Sequence, residues 1–254
     1  HVKNIVTKYL GCMPDICIAK NYIAPSECKR IFNCYTIYLV SGINHFYLFY
    51  DDVTAEKLLS DRFRVYKKIE QEIYCNEQSD LIILNSLLSK KIFEKIYPQF
   101  KDKIYKNIVD TTSIMSINKF NIPKNKSYDI LICCSNLERT DKNNLFFINI
   151  LNKPCFNKYK KCIIGSNFEK YNCIPNSECK GLLQQRECID FMSKSKVLLF
   201  PSFFDANSNT VREAYFNKCL PLITHNIGYS ELFPDFLKCN SYDENEWKEK
   251  ILNI

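Results

Sequence analysis

The chain has 254 residues, of which 46% are hydrophobic and 25% are charged, and its formal net charge is +7. This length accommodates two small domains, and the composition is that of a globular protein, which excludes a disordered or fibrous chain. The lysines and arginines form only short, scattered groups, so a solvated surface is favoured over a nucleic-acid site, while a basic cleft for an anionic ligand or peripheral contact with an anionic membrane stays open.

Fourteen cysteines raise the question of disulfide bonds or a zinc site. No Cys-x-x-Cys pair occurs, and the three histidines (His1, His45 and His225) have no ligand spacing. Cys133 and Cys134 are adjacent in an apolar run and cannot bridge each other without strain. We therefore expect free thiols, no metal and no cofactor, in a reducing, cytoplasmic compartment.

Glycine is scarce, and residue usage is skewed toward Lys, Asn, Ile, Tyr, Phe and Cys. This skew indicates an AT-rich genome, such as that of a large virus. With only five glycines the chain has no GxGxxG, P-loop or GxSxG motif, which excludes the functions that depend on those loops.

The first part of the chain, up to a boundary that we place near Asn118, predicts an incomplete domain. Its early strand candidate is Asp15–Ala19, and no glycine-bearing turn faces it. The run Ile31–Tyr50 carries no Asp, Glu, Lys or Arg, and its length is sufficient to span a membrane. Because this run holds several polar residues and many aromatics, we favour a buried strand at Thr36–Val40 over a transmembrane helix. We expect the chain to be a fragment of a longer protein.

Three further elements precede the boundary. The spacing of apolar residues predicts a helix over Thr54–Glu77, an apolar run predicts a strand at Leu81–Leu84, and Pro98 closes a predicted helix over Ser89–Tyr97. The stretch that ends at Lys126 has little helix or strand pattern and is predicted to be a linker.

The second part of the chain alternates short apolar runs with helical segments, which is typical of a parallel sheet. Such βαβ units bind ligands at the C-terminal ends of their strands. The predicted strands are Tyr128–Cys134, Lys161–Gly165, Val197–Phe200 and Leu220–Thr224, and the predicted helices are Arg186–Ser193 and Thr210–Lys218.

Polar residues gather after the strand that ends at Phe200. Asp205 lies in the loop and Glu213 in the helix, and Ser208, Asn209 and Thr210 supply backbone N–H groups at a helix N-terminus, which is a ready anion site. A nucleotide-sugar carries both phosphates for those N–H groups and hydroxyls for the carboxylates. The alternative is structural, because Thr210 and Glu213 are also spaced as a capping box.

The pattern PSxxDxxxNTxxEA, with Gly228 and Glu231 after it, resembles the donor-binding signature of GT-B glycosyltransferases, family 4 in particular. Asp205 falls on a position that usually carries Glu, and Glu213 falls on the second acidic position. The resemblance implies an α/β GT-B fold, in which two Rossmann-like domains face a cleft. Residues 1–118 would be a partial acceptor-side domain, and residues 119–254 the domain that binds the nucleotide-sugar donor.

Two other segments support the resemblance. The loop after Cys134 is similar to the family's GRLxxxKG loop, whose Arg and Lys grip the donor pyrophosphate. Lys142 aligns with that Lys, whereas Asn136 occupies the usual Arg position and Arg139 lies three residues later. Gly181-Leu-Leu resembles an element in which the backbone near Leu182 meets the base.

The resemblance implies transfer of a sugar from a UDP- or GDP-sugar to a hydroxyl acceptor on a glycan, lipid or protein, with retention and without a metal. Lys142 and Arg139, with the N–H groups at Asn209 and Thr210, would stabilise the departing diphosphate. Asp205 would contact the sugar, and Glu213 the ribose. Two alternatives stay open: a non-catalytic GT-B remnant that binds nucleotide-sugar or glycan, and, more weakly, a nucleic-acid-binding protein.

Overall fold

The structure, a computed structural model, describes residues 2–20, 23–40, 62–105 and 125–254. The chain divides into two compact units, His1–Thr111 and Thr112–Ile254. The boundary predicted near Asn118 lies outside the described residues and stays a prediction. The same holds for His1, for His45, for the first part of the predicted helix at Thr54 and for most of the predicted linker.

The first unit contains a three-stranded parallel sheet with the order β1-β2-β3. Leu81–Leu84 forms a strand as predicted, and the charge-free run contributes the strand Tyr35–Val40. The elements are α1 (Val2–Leu10), β1 (Ile16–Lys20), α2 (Ala24–Phe32), β2 (Tyr35–Val40), α3 (Arg62–Gln78), β3 (Leu81–Leu84), α4 (Leu87–Ile96) and a 3₁₀ turn (Pro98–Lys103).

Two polar contacts fix the ends of elements in this unit. The Ser86 hydroxyl accepts a hydrogen bond from the Ser89 N–H, so Ser86 caps α4, which begins two residues before the predicted start. The Asp80 carboxylate accepts from Lys29 Nζ and from the Thr36 N–H, each at 2.8 Å. Asp80 thereby joins α2 and β2 to the start of β3.

The second unit is built around a six-stranded parallel sheet with the order β6-β5-β4-β7-β8-β9. Four of its strands, β4, β5, β7 and β8, coincide with the predicted apolar runs, and β4, β5 and β7 are longer by one or two residues. The two edge strands, β6 and β9, were not predicted. The elements are β4 (Tyr128–Asn136), α5 (Phe146–Leu151), β5 (Lys161–Ser166), β6 (Ser177–Cys179), α6 (Gln185–Ser193), β7 (Ser195–Phe200), α7 (Asn209–Phe216), β8 (Leu220–Thr224), β9 (Lys238–Cys239) and α8 (Glu244–Asn253).

The core of this unit fills both faces of the sheet, which is why its strands lack the alternation of a half-exposed strand. Leu131, Ile163, Leu198 and Leu222 are fully buried in four neighbouring strands. Helices cover them, and on α8 the Trp247 ring packs edge-on against a phenylalanine of α5. The interior is therefore continuous from β5 to β8.

The order of the strands reverses beside β4. The chain runs from β4 outward to β5 and β6, and then returns to place β7 on the opposite side of β4. The loops after β4 and β7 consequently leave the sheet side by side at the same edge. In open parallel sheets this switch point is where ligands bind, outside the carboxyl ends of the strands.

No helix within the described residues is long and apolar enough to cross a membrane. Part of the charge-free run, from residue 41 to residue 50, lies outside those residues.

Candidate functional site

The candidate site lies at the switch point, where the loops after β4 and β7 meet. Lys142 ends a 3₁₀ turn in the first loop, and Asp205 lies in the second. Lys142 Nζ is 2.7 Å from Asp205 Oδ2, and the two side chains are only 14% and 19% exposed. The two oppositely charged residues predicted for the site are thus brought together as an ion pair.

Backbone contacts hold Asp205 in position. Its N–H donates to the Asn226 carbonyl at 3.1 Å, and its carbonyl accepts from the Gly228 N–H at 2.8 Å. The carboxylate Oδ1 accepts from the Asn207 N–H at 3.1 Å. Gly228, which the motif included, therefore anchors the acidic loop, whereas Glu231 is exposed in a 3₁₀ turn.

The guanidinium of Arg139 is occupied by a neighbour that sequence reasoning missed. Its Nε and Nη2 donate to the Asp141 carboxylate at 3.0 and 2.6 Å, and this bidentate bond raises the pKa of Arg139. Asp141 also joins the two loops, because its carbonyl accepts from the Phe203 N–H at 2.9 Å and from the Ser202 hydroxyl at 3.1 Å. In the sequence, the only indication that Asp141 belongs to the site is its position next to Lys142.

Ser208 caps the helix that follows the acidic loop. Its hydroxyl accepts from the Val211 N–H at 3.3 Å, and α7 begins at Asn209. The capping box considered for Thr210 and Glu213 is therefore wrong, since Glu213 lies in the second turn and does not cap the helix. The N–H groups of Asn209 and Thr210 belong to the first turn, which has no carbonyl one turn earlier to receive them.

A cavity of about 230 Å³ opens beside this helix. It lies between the end of β4, the loop that follows β6 and the helices α6 and α7. Three of the predicted site residues line it: Leu182, Thr210 and Glu213. Leu182 is 68% exposed although it is a large apolar side chain, so it offers a surface for a flat ligand. The remaining lining residues are Cys133, Cys134, Ser135, Ile164, Leu183, Gln185, Cys188 and Met192.

Glu213 has a side-chain partner that the sequence did not reveal. Gln185 Nε2 donates to Glu213 Oε1 at 2.5 Å, across the cavity wall from α6 to α7. Gln185 is the first residue of α6, one position before the predicted start, and Gln184 and Glu187 form the capping box of that helix. The bond fixes one carboxylate oxygen and leaves the other to accept from a ligand.

Close packing at the floor of the site requires a glycine. Gly165, near the end of β5, has φ +149°, and a Cβ there would lie 2.1 Å from the Cys134 carbonyl oxygen. Its N–H donates to the Gly181 carbonyl at 2.8 Å. The glycine predicted at this strand end thus lets β5 approach β4 and connects to the loop that carries Leu182.

Asn136, which stands at the usual arginine position, has a structural contact. Its Oδ1 accepts from the Glu138 N–H at 2.9 Å and from Asn167 Nδ2 at 3.0 Å. The side chain therefore shapes the loop that leads to Arg139 and Lys142.

The cysteines and the potential metal ligands were also compared with the predictions. All fourteen cysteines lie within the described residues, and they are free. Among the described side chains, no group of three or more His, Cys, Asp or Glu residues is arranged to hold a metal ion.

Comparison with known proteins gives a match of fold. No protein-family model and no curated sequence matches the chain. Sucrose-phosphate synthase from Thermosynechococcus elongatus superposes with a TM-score of 0.73 at 11% identity, over 100% of this chain and 67% of that one. Anabaena HepE in complex with UDP-glucose gives 0.68 at 12% identity, over 99% and 71%. S. aureus TarM in complex with UDP gives 0.67 at 17% identity, over 99% and 51%.

These neighbours share the GT-B fold, so the predicted fold class is confirmed. The chain spans between half and about 70% of the length of these solved structures. At sequence identities this low, the superpositions establish the architecture alone. The reaction must be argued from the residues of the site.

Proposed function

We propose that the chain is a glycosyltransferase whose second unit binds a nucleoside-diphosphate-sugar, a UDP- or GDP-sugar, as the donor. One observation carries this proposal: Leu182, Thr210 and Glu213 line the same cavity at the strand switch point. These are residues that the resemblance to family 4 assigned to the base, the phosphates and the ribose. Three neighbours of the same fold are a synthase of sucrose phosphate, a protein bound to UDP-glucose and a protein bound to UDP.

The donor contacts follow from the chemistry of the lining. The base packs on the exposed face of Leu182, and the ribose hydroxyls donate to the free oxygen of Glu213. The diphosphate accepts from the first-turn N–H groups at Asn209 and Thr210, with Ser208 holding the helix end. The positive end of α7 and the charge of Lys142 supply the positive potential that a diphosphate needs.

The transfer step depends on Lys142 and Asp205. As the bond between the sugar and the diphosphate breaks, negative charge grows on the diphosphate, and a fixed ammonium stabilises it. Arg139 adds a second positive charge nearby, although Asp141 compensates part of it. Asp205 accepts hydrogen bonds from the transferred sugar and supports its oxocarbenium-like character. These groups provide the needed charge without a metal, and the resemblance to family 4 implies retention at the anomeric carbon.

Calorimetric titration with UDP and with GDP, each with and without Mg²⁺, tests the donor assignment. We expect micromolar binding of one nucleotide that does not depend on Mg²⁺. Binding of neither nucleotide would overturn the assignment. Release of sugar from the donor that binds, followed by NMR of the anomeric product, then tests transfer and retention. Binding without any turnover would instead favour the non-catalytic binding module.

The acceptor is a hydroxyl compound, and its class is a glycan, a lipid or a protein. Product formation with members of each class distinguishes them. The proposed location is a reducing compartment, the cytoplasm, with peripheral contact to a membrane if the acceptor is a lipid.

A further inference from the structure

The segments that lead into four strands of the second unit carry many lysines. The amino ends of parallel strands lie at one edge of the sheet, so these lysines, which are scattered in the sequence, meet on one surface. That edge is opposite to the cavity and is separated from it by about 20 Å, the length of a six-residue strand. The lysines that lie before or at the start of β4, β5, β7 and β8 are Lys126, Lys153, Lys158, Lys160, Lys161, Lys194, Lys196 and Lys218.

Contacts between neighbouring segments make this edge one continuous surface. The Tyr128 N–H donates to the Lys194 carbonyl at 3.0 Å, which places the start of β4 beside the segment before β7. On the other side, Lys160 Nζ lies over the Tyr128 ring at 4.9 Å, so the segment before β5 is also adjacent. Lys126 Nζ lies 3.5 Å from the carbonyl of Asn217, which belongs to the segment before β8. The four segments therefore lie side by side.

Much of the positive charge at this edge has no acidic partner. Lys158, Lys160 and Lys218 are exposed, and none of them forms an ion pair with a residue that the structure describes. The same holds for Lys126, which is partly exposed, and we call these four residues the lysine edge. The helix ends at this edge carry a partial negative charge that offsets only part of theirs. Three further lysines of these segments are neutralised in pairs: Lys153 with Glu244, Lys194 with Asp190 and Lys196 with Asp129.

An exposed aromatic ring lies next to the lysine edge. Phe216 is the last residue of α7, two positions before Lys218, and it is 53% exposed. Its ring meets the Tyr215 ring edge-on, with 5.6 Å between the centroids. A large apolar side chain gains free energy when its exposed surface leaves water. The surface therefore offers positive charge together with an apolar group, a combination that favours binding at a membrane–water interface.

We propose that the lysine edge docks the second unit on an anionic lipid membrane, with Phe216 entering the head-group region. Lysine is a point charge without a planar fork, so it suits a fluid surface of anionic head groups. Specific nucleic-acid sites rely instead on arginine forks, and the segments of this edge contain no arginine. The docking does not rest on the proposed function, and it leaves the cavity at the opposite edge accessible.

Sedimentation of the whole chain with lipid vesicles tests the docking. We expect the chain to sediment with vesicles of phosphatidylcholine and phosphatidylserine and to stay in solution with vesicles of phosphatidylcholine alone. Sodium chloride at about 0.5 M should release it, because salt screens the attraction between the lysines and the head groups. Binding that does not depend on phosphatidylserine, or that persists at high salt, would overturn the proposal.

A triple variant locates the binding surface. Each lysine near an anionic membrane contributes about fivefold in affinity, so Lys158→Gln, Lys160→Gln and Lys218→Gln together should weaken vesicle binding roughly 100-fold. Phe216→Ala should weaken it by up to about tenfold and leave its salt dependence unchanged. The matched control removes the same charge from three exposed lysines elsewhere, Lys91, Lys101 and Lys170, and should bind vesicles like the wild type.

Three outcomes decide between the possible partners and keep the two proposals separate. Equal losses in the triple variant and its control would refute the docking surface, because only net charge would then matter. Tighter binding to single-stranded RNA than to anionic vesicles would overturn the membrane in favour of a nucleic acid. The triple variant should bind UDP like the wild type. Vesicle binding by a chain that binds neither UDP nor GDP would support the docking and refute the donor assignment separately.

Discussion

Lys142 Nζ lies 2.7 Å from Asp205 Oδ2, so the cation and the carboxylate that we assign to the donor are each other's partners in the ligand-free chain. Because both side chains are mostly buried, water and salt screen their attraction weakly. A diphosphate that enters the site must compete with Asp205 for the ammonium. In the proposed function, donor binding releases the carboxylate, and a sugar hydroxyl replaces the lysine as its partner. Under that proposal, the ion pair links recognition of the phosphates to recognition of the sugar.

The first prediction separates the two halves of this exchange. Asp205→Asn removes the competitor for Lys142, so affinity for UDP should stay the same or increase, while turnover of the sugar donor should be lost. Lys142→Met removes the ammonium and leaves Asp205 unpaired beside the phosphates, so affinity for UDP should fall by about tenfold or more, since a charge-assisted hydrogen bond contributes roughly 1.5–3 kcal/mol. Calorimetry and a donor-hydrolysis assay measure the two effects.

A matched control removes a lysine from a different ion pair of the same unit. Lys170 pairs with Glu138 at the surface, where it is 60% exposed. Lys170→Met should leave UDP affinity and turnover unchanged, because exposed pairs contribute little. A fall in UDP affinity for Asp205→Asn as large as that for Lys142→Met would contradict the exchange.

Much of the second unit could be predicted from the sequence because its strands are buried on both faces. The apolar runs that begin at Tyr128, Lys161, Val197 and Leu220 each form a parallel strand, and a proline directly follows the run that ends at Phe200. Once the strands are placed, parallel topology alone brings their following loops to one edge.

Contacts between loops could not be predicted in the same way. The Asp141 carbonyl bonds to the loop after β7, and the Gln185 side chain bonds to Glu213. Each bond joins segments separated by tens of residues, so neither leaves a local pattern in the sequence. Ser208 rather than Thr210 caps α7, because the helix begins at Asn209, one residue before the predicted start. Helix boundaries that rest on a choice between two neighbouring hydroxyl residues need the tertiary structure.

Glu213 gives the second prediction, in which residue and ligand are changed together. Glu213→Ala should weaken UDP binding by roughly tenfold, because it removes the acceptor of a charge-assisted hydrogen bond from the ribose. The wild type should bind 2′,3′-dideoxy-UDP about as weakly as the variant binds UDP. The variant should bind both nucleotides equally. A variant that still prefers UDP over the dideoxy form would remove Glu213 from the ribose site.

Stability separates this role from helix capping. Ser208→Ala removes the side chain that caps α7 and should cost about 1 kcal/mol of unfolding free energy. Glu213→Ala should leave the unfolding free energy within about 0.5 kcal/mol of the wild type, since Glu213 is partly exposed and caps nothing. Chemical denaturation of both variants measures the difference.

Gly165 gives the third prediction. A Cβ at this position would lie 2.1 Å from the Cys134 carbonyl oxygen, and the backbone φ is +149°. Gly165→Ala should therefore force β5 away from β4 and prevent cooperative folding or destabilise the chain by several kcal/mol, on the order of the largest single-residue effects. Denaturant unfolding, or the soluble yield, measures the loss.

Gly181 is the matched control for this change. Its φ is +66°, but a Cβ would meet only the Phe168 ring at an ordinary 3.5 Å. Gly181→Ala should thus cost about 1 kcal/mol, the strain of a left-handed alanine. Equal losses in the two variants would argue against the close approach of β5 and β4.

The fourth prediction concerns a buried lysine whose ammonium is bound by backbone carbonyls. Lys161 is fully buried, and its Nζ donates to the carbonyls of Phe156, Tyr159 and Pro175 at 2.7, 3.0 and 2.6 Å. Lys161→Met keeps the length of the side chain but removes all three donors. We expect a loss of about 3–5 kcal/mol in unfolding free energy, because buried carbonyls lose their partners.

The adjacent lysine provides the comparison. Lys160 is exposed, and its Nζ lies over the Tyr128 ring at 4.9 Å. Lys160→Met should cost no more than about 1 kcal/mol, the contribution of an exposed cation–π contact. Equal unfolding free energies for the two variants would show that the hydrogen bonds from Lys161 to the three carbonyls do not stabilise the fold.

The last prediction is a dependence of stability on pH. Asp129 Oδ1 lies 2.7 Å from Lys196 Nζ, and Oδ2 accepts from the Lys160 N–H at 2.8 Å. Burial raises the pKa of Asp129, but the hydrogen bonds from Lys196 and from the backbone outweigh burial and lower the pKa below its unfolded value of 3.8. A lowered pKa in the folded state stabilises the fold above the unfolded pKa, and this contribution disappears as pH falls through the folded value.

Asp129→Asn should therefore lower the unfolding free energy at neutral pH. The difference in unfolding free energy from the wild type should narrow below about pH 4, because Asp129 takes up its proton first in the unfolded chain and, at lower pH, in the folded protein. Asp190→Asn is the control, because Asp190 pairs with Lys194 on the surface of α6 and is 53% exposed. The unfolding free energy of Asp190→Asn should stay close to that of the wild type across the pH range. Urea unfolding of the three proteins between neutral and acidic pH measures both differences, and a difference for Asp129→Asn that widens as the pH falls would contradict the lowered pKa.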